Sequence, residues 1–214
     1  MIKAVIFDLD GVITETSIQH FQAWKTIAHM VGVELDMSFN ESLKGISREE
    51  SLKAILKHGG ILEKYSEEEM EKLCFCKNEY YKQLIRQFTH ENVFEGVLEL
   101  FKYLRKRGIK IAIGSASHNA PTLIKAMALE EYIDYIVNPD DVKRGKPAPD
   151  IFLAAASALG VKPSECIGVE DAIAGIKAIK AAGMYAIGIG DEEVLKEADI
   201  VFKRVADIDF STII

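Results

Sequence analysis

The chain has 214 residues, 49% of them hydrophobic and 28% charged, enough for one large domain or two modest ones with a substantial core. A net charge of −7 argues against nucleic acid or an anionic membrane surface as the main partner, and no apolar run reaches the length of a membrane span. The 3 cysteines lack zinc-finger spacing and read as structural, and the chain opens into a strand rather than a signal sequence, so a reduced cytoplasm is expected. The first element is Ala4-Val5-Ile6-Phe7, a β-branched apolar run of the kind buried on both faces of a sheet. It ends in Asp8-Leu9-Asp10-Gly11. Two carboxylates at the end of a buried strand are costly unless a cation sits there, and Mg²⁺, which takes hard oxygen ligands, suits them. Aspartate can also be the nucleophile of phosphoryl transfer. An ordinary Asp-Gly turn accounts for Asp10 and Gly11 but leaves Asp8 unexplained.

Residues 15–92 then run at helical period. Ile18, Phe21, Ala28 and Val31 mark the apolar stripe of a first helix, and Thr16, His20 and Trp24 share one stripe beginning beside the paired aspartates. That position favours His20 as a ligand over simple packing. Ser47-Arg48-Glu49-Glu50 is a capping box, and Arg48 opposes the dipole of the helix it opens, which a local anion explains better than stability does. Lys44-Gly45 just before it adds a cation and a residue that lets the backbone come close. A solvated surface charge is the alternative for both cations. Ser66-Glu67-Glu68-Glu69 starts a long helix expected to run through Phe88, with an apolar stripe at Met70, Leu73, Cys74, Tyr80, Tyr81 and Leu84. Lys77 falls on that stripe; it either snorkels to water or points at an anion, and the other phosphate-site features favour the anion.

From residue 93 strands and helices alternate. An amphipathic helix from Val97 to Arg107 precedes the strand Ile109–Gly114, which ends in Ser115-Ala116-Ser117-His118-Asn119. Hydroxyls and amides at such a junction form a phosphate cradle, whereas a simple helix cap needs only one hydroxyl. A helix to about Leu129 and a strand at Tyr135–Val137 lead to Arg144-Gly145-Lys146-Pro147-Ala148-Pro149-Asp150, where the prolines pin the backbone carrying Lys146. The strand Cys166–Val169 ends in a second acidic pair, Glu170-Asp171, which strengthens the metal reading. The alternation implies an α/β fold with a doubly wound parallel sheet, whose ligands bind beyond the carboxyl ends of the strands. Asp8, Asp10, Ser115, Lys146, Glu170 and Asp171 all lie at such ends.

These stations, in this order, resemble the four motifs of the haloacid dehalogenase superfamily of phosphotransferases: Asp8-Leu9-Asp10-Gly11, Ser115, Lys146-Pro147 and Glu170-Asp171. The insert resembles the helical cap of the subgroup whose cap enters after the first motif. Within it, Thr16, His20, Trp24, Lys44–Glu49, Ser51, Lys77-Asn78, Ser115–Ser117 and Asn119 are similar to the sugar-phosphate mutases. The resemblance implies a core of residues 1–14 and 93–214 with an inserted α-helical cap at 15–92. It implies Asp8 as nucleophile, Asp10 as general acid/base, and Ser115 and Lys146 on the transferring phosphate. Mg²⁺ would be held by Asp8, the Asp10 carbonyl, Glu170 and Asp171. Thr16, His20, Trp24, Lys44, Gly45, Arg48, Ser51 and Lys77 would bind substrate from the cap, and Ala116, Ser117 and Asn119 from the core, with Arg48 on the second phosphate. The implied reaction interconverts β-glucose 1-phosphate and glucose 6-phosphate through the bisphosphate, in a monomer whose partner is a small sugar phosphate. Hydrolysis of a small sugar or organic phosphate is the alternative. Glu15 stands where relatives usually carry Asp, and His118 where Lys is expected, which removes a charge near the distal phosphate.

Overall fold

The computed structural model describes residues 1–43 and 45–212. Strand β1 (Ala4–Phe7) is followed by four helices, α1 (Ser17–Met30), α2 (Met37–Glu41), α3 (Arg48–His58) and α4 (Glu67–Leu84). The chain then alternates through α5 (Val97–Lys106), β2 (Lys110–Ile113), α6 (Ala120–Ala126), β3 (Tyr135–Ile136), α7 (Asp150–Leu159), β4 (Cys166–Glu170), α8 (Ile173–Ala181), β5 (Tyr185–Ile189) and β6 (Ile200–Phe202). All strand pairs are parallel, in the order β3-β2-β1-β4-β5-β6. Every residue of β1 and β4 is buried, as strands covered on both faces must be, which is why they read as continuous apolar runs. Chain connections leave β1 towards β2 on one side and return to β4 on the other, so the crevice between the carboxyl ends of β1 and β4 is the switch point of the sheet. No helix among the described residues is long and apolar enough to cross a membrane.

The short outer strands are each pinned by an aspartate at their start. Asp134 Oδ2 accepts the Ile111 N–H at 2.8 Å and Oδ1 accepts from Arg105 at 2.6 Å, while its own N–H donates to the Ile111 carbonyl. Asp199 repeats the arrangement with the Ala186 N–H at 2.7 Å and Lys180 at 2.5 Å. The carboxylates thus supply the hydrogen-bond acceptors that strands of two and three residues cannot.

Contacts divide the chain into two compact units, Met1–Glu15 with Phe88–Ile214, and Thr16–Gln87. The first holds the sheet, whose core includes Ile6, Ala112, Phe152, Ala155, Ile176 and Ile179. Residues 88–93 belong to it because Thr14 Oγ1 donates to the Asn92 carbonyl at 2.7 Å and Thr14 bridges Val93. That extended pairing also ends α4 early: the helix expected to reach Phe88 stops at Leu84, with a tighter turn at Ile85–Gln87.

The second unit is helical with its own core, centred on Trp24, Ile27, Leu52, Ile55 and Leu56. The buried seam of α1 is Ala23, Trp24, Ile27 and Ala28, whereas Ile18, expected on the apolar stripe, is 53% exposed. The two capping boxes form as the sequence indicates. Ser47 Oγ accepts the Glu50 N–H and Glu50 accepts the Ser47 N–H, and Ser66 and Glu69 do the same. Cys74 and Cys166 are buried, as structural cysteines are, but Cys76, also expected to be structural, is exposed.

Candidate active site

The register of β1 on β4 builds the core half of the site. Phe7 pairs with Val169, so Asp8 and Glu170 come one residue later on adjacent strands, and the Asp8 N–H donates to the Val169 carbonyl at 2.9 Å. Lys146, 1% exposed, lies between them, with Nζ 2.6 Å from Asp8 Oδ1 and 2.8 Å from Glu170 Oε2. Burial by itself would lower the Lys146 pKa, but the two carboxylates outweigh it and hold the ammonium above the ordinary lysine range. Burial pushes Glu170 well above the usual carboxylate range, with the Asp8 charge adding to it. The other Glu170 oxygen accepts the Ala172 N–H just ahead of α8, and Asp8 Oδ2 accepts the Asp10 N–H at 3.1 Å. The loop of Lys146 is braced by Arg144, whose guanidinium makes two hydrogen bonds to Asp150.

Asp171 completes an acidic group: one oxygen from each of Asp8, Glu170 and Asp171 lies within 4.8 Å of the others. The Asp10 side chain is outside this group. Three carboxylates facing one ammonium leave an excess of negative charge, and hard oxygen donors in that number suit a divalent cation such as Mg²⁺. Two glycines make room for them. A Cβ on Gly11, whose φ is +78°, would stand 2.1 Å from Asp171 Oδ2, and one on Gly175 would stand 2.0 Å from Glu170 Cδ. Sequence reading missed Gly175, because a glycine in a helix gives no hint of what approaches it.

Ser115, buried beyond the end of β2, accepts the Ser117 N–H at 3.1 Å, and the Ser117 hydroxyl accepts the Asn119 N–H at 3.3 Å. Asn119 is the N-cap of α6 without a side-chain cap bond. The hydroxyls therefore order the loop rather than cap the helix, and the amides of 117 and 119, expected to be open to phosphate, donate inward in this structure. Ala116 lies between them, partly buried, and the exposed His118 pairs with Asp140 at 2.9 Å.

In the helical unit Thr16 is fully buried at the entry to α1. Lys77 does not snorkel: it is 3% exposed, with Nζ 2.7 Å from His20 Nδ1 and 4.9 and 4.7 Å from the ring centres of Trp24 and Tyr81. An ammonium can only donate, so His20 Nδ1 accepts and the proton of the neutral ring sits on Nε2. Burial, then Lys77, then Arg48 hold the His20 pKa well below its ordinary value. Tyr81, stacked on His20 at 4.1 Å, was read from sequence as a plain apolar position; its spacing of four from Lys77 was the available clue. The Ser51 hydroxyl donates to the Ser47 carbonyl at 2.9 Å, which ties it to its own helix, and Trp24 packs in the unit's core. Gly45 adopts φ +75°, which favours glycine, and Lys44 lies outside the described residues.

A family model described as haloacid dehalogenase-like hydrolase matches residues 2–183. The β-phosphoglucomutase of Bacillus subtilis (strain 168) is 47% identical over 206 residues, covering 96% of this chain and 91% of the relative. The phosphorylated carbohydrates phosphatase of Thermotoga maritima is 30% identical over 206 residues, 93% of this chain and 92% of that protein. The crystal structure of β-phosphoglucomutase from Clostridium difficile superposes with a TM-score of 0.98 at 44% identity, covering 100% of this chain and 96% of the other.

Proposed function

The chain belongs to the haloacid dehalogenase-like hydrolase family, and we propose that within it the protein is a β-phosphoglucomutase. It interconverts β-glucose 1-phosphate and glucose 6-phosphate, as a cytoplasmic monomer. The observation that carries this reading over a simple phosphatase is the Lys77–His20 pair, buried against Trp24 and Tyr81 in the helical unit. A hydrolase that hands its phosphoryl group to water has no need to keep an ammonium and a neutral imidazole donor for a second, sugar-bearing acceptor. The 47% identity to the Bacillus subtilis mutase supports the same choice.

The chemistry assigned to the residues runs as follows. An Asp8 oxygen attacks phosphorus of the bisphosphate, the bond from phosphorus to the sugar oxygen breaks, and Asp10 gives its proton to that oxygen. In the second half the hydroxyl of the incoming sugar phosphate loses its proton to Asp10 and attacks the phosphoryl group on Asp8, which restores the carboxylate. Lys146 stays within reach of Asp8 throughout and spreads the charge of the transferring group together with the Ser115 hydroxyl. Asp8, the Asp10 carbonyl, Glu170 and Asp171 would hold Mg²⁺, which when bound neutralises charge on the phosphoryl oxygens. In the helical unit, Arg48 with Lys44 and Gly45 is assigned to the non-reacting phosphate and Thr16, His20, Trp24, Ser51 and Lys77 to the sugar; in the sheet-bearing unit, Ser117 and Asn119 are assigned to substrate phosphate.

A ³¹P NMR time course with Mg²⁺, β-glucose 1-phosphate and a trace of β-glucose 1,6-bisphosphate tests the reading. Glucose 6-phosphate growing in without inorganic phosphate is the expected result. Inorganic phosphate released in step with substrate loss would instead make the protein a sugar phosphatase, the activity the Thermotoga maritima relative is named for.

A further inference from the structure

Thr14 is completely buried in the sheet-bearing unit, yet it stands outside the chemistry assigned above. It closes the loop that follows Asp8 and Asp10. The Leu9 carbonyl accepts the N–H groups of Val12, Ile13 and Thr14 at 3.4, 2.9 and 3.2 Å, and the Thr14 carbonyl accepts the Gly11 N–H at 2.8 Å. The loop thus folds back until Thr14 pairs with Asp10 on one side and with Val93 on the other.

The backbone leaves this position short of a donor. The pairing with residues 92–94 is antiparallel, and the Phe94 N–H supplies one of its bonds, to the Ile13 carbonyl at 2.8 Å. A second donor would ordinarily be the Thr14 backbone N–H, but that group is spent inside the loop, on Leu9. The side chain takes its place: Thr14 Oγ1 donates to the Asn92 carbonyl at 2.7 Å. The acceptor is itself held, because Asn92 closes a turn in which its N–H donates to the Thr89 carbonyl and its side-chain oxygen accepts the Thr89 N–H.

The other end of this series of bonds is the Asp10–Gly11 peptide, which is trans. In a trans peptide the N–H and the C=O point in opposite directions, so the bond from Gly11 to Thr14 aims the Asp10 carbonyl away from Thr14. We propose that Thr14 is a positioning residue for Asp10: its hydroxyl anchors the loop to Asn92, and its carbonyl sets the plane of the Asp10–Gly11 peptide. In the function proposed above, on which this inference rests, Asp10 offers its carbonyl to Mg²⁺ and its carboxyl to the sugar oxygen. A turn of that one peptide would displace both.

Thr14→Val keeps the shape and removes the donor, whereas Thr14→Ser keeps the donor. Hydrogen exchange of the Gly11 amide, followed by NMR in the intact protein without metal, reads the loop directly. It should quicken about tenfold in Thr14→Val, the equivalent of one lost hydrogen bond, and stay within about twofold in Thr14→Ser. The Gly114 amide, which donates to Phe7 in the sheet, should change far less. Calorimetry should find Mg²⁺ bound about fivefold more weakly by Thr14→Val, and kcat should fall about tenfold with KM little changed, while Thr14→Ser keeps both. An unaltered Gly11 amide in Thr14→Val, or an equal loss in Thr14→Ser, overturns the proposal. So does an equal quickening at Gly114, since Thr14 would then support the fold as a whole, or a rise in KM that accounts for all the lost efficiency. Turnover counts glucose 6-phosphate and inorganic phosphate together, so a protein that proves to be a phosphatase overturns the mutase reading and not this one. If the parent protein binds no Mg²⁺ the metal assignment fails, and Gly11 exchange with kcat still decides for or against Thr14.

Discussion

Asp8 is shared between a lysine, a backbone amide and an acidic group; the lysine takes Oδ1 and the amide Oδ2, and together they orient its carboxylate. Asp8→Asn should abolish mutase turnover, because an amide is a far poorer nucleophile; appreciable residual activity in a coupled glucose 6-phosphate assay would remove the role. Asp10→Asn should lose about 10²- to 10⁴-fold in kcat, the usual worth of a positioned acid/base, and near-normal kcat would reassign it. Gly175→Ala has an unusual expected sign. A helical glycine replaced by alanine ordinarily gains about 1 kcal/mol, but here the new Cβ would lie 2.0 Å from the Glu170 carboxylate carbon, so stability and metal affinity should both fall. A gain in denaturant midpoint would show that Glu170 can move aside. His20 titrates below its ordinary value of 6.5, so as pH drops past that point the unfolded chain takes up its proton first. Its contribution to stability is therefore complete above that pH and is lost as acid approaches the folded pKa. Lys77→Met removes the second of the three causes, and an NMR titration should find His20 moved part of the way back towards 6.5. No movement would mean that Lys77 takes no part and that burial and Arg48 set it.

At the scale of elements, the capping boxes and the strand clamps differ in how visible they are. Ser47 and Ser66 are legible because the pattern is local: a serine and a glutamate three residues on satisfy each other's amides whatever the rest of the chain does. Ser47→Ala should cost about 1 kcal/mol of stability in thermal unfolding, and an unchanged midpoint would mean the cap is dispensable. The clamps at Asp134 and Asp199 are not legible, because each aspartate serves an amide on another strand, 23 and 13 residues away in sequence. Asp199→Ala should cost about 1–2 kcal/mol, mainly by leaving the Ala186 amide without an acceptor, since the ion pair to Lys180 is partly solvated. The end of α4 belongs to the same class: no breaker follows Leu84, and only the pairing of Thr14 with residues 92 and 93 pulls the chain out of the helix.

For the molecule as a whole, the excess negative charge of the acidic group predicts that activity depends on a divalent cation. EDTA should silence turnover and Mg²⁺ restore it; full activity in EDTA would exclude a metal role for Asp8, Glu170 and Asp171. The sequence by itself determined the alternation of elements, the parallel sheet, the helical insert and the strand ends where chemistry-bearing residues sit. Those features follow from periodicity and from the cost of burying charge, both of which act within a few residues. Only the tertiary structure decided that Lys146 stands between Asp8 and Glu170, that Gly11 and Gly175 clear space for two carboxylates, and that Lys77 is buried on His20 rather than reaching water. Each of these depends on strand register or helix packing across tens of residues, where the side chain that meets a given position is chosen by the fold and not by its neighbours in the chain.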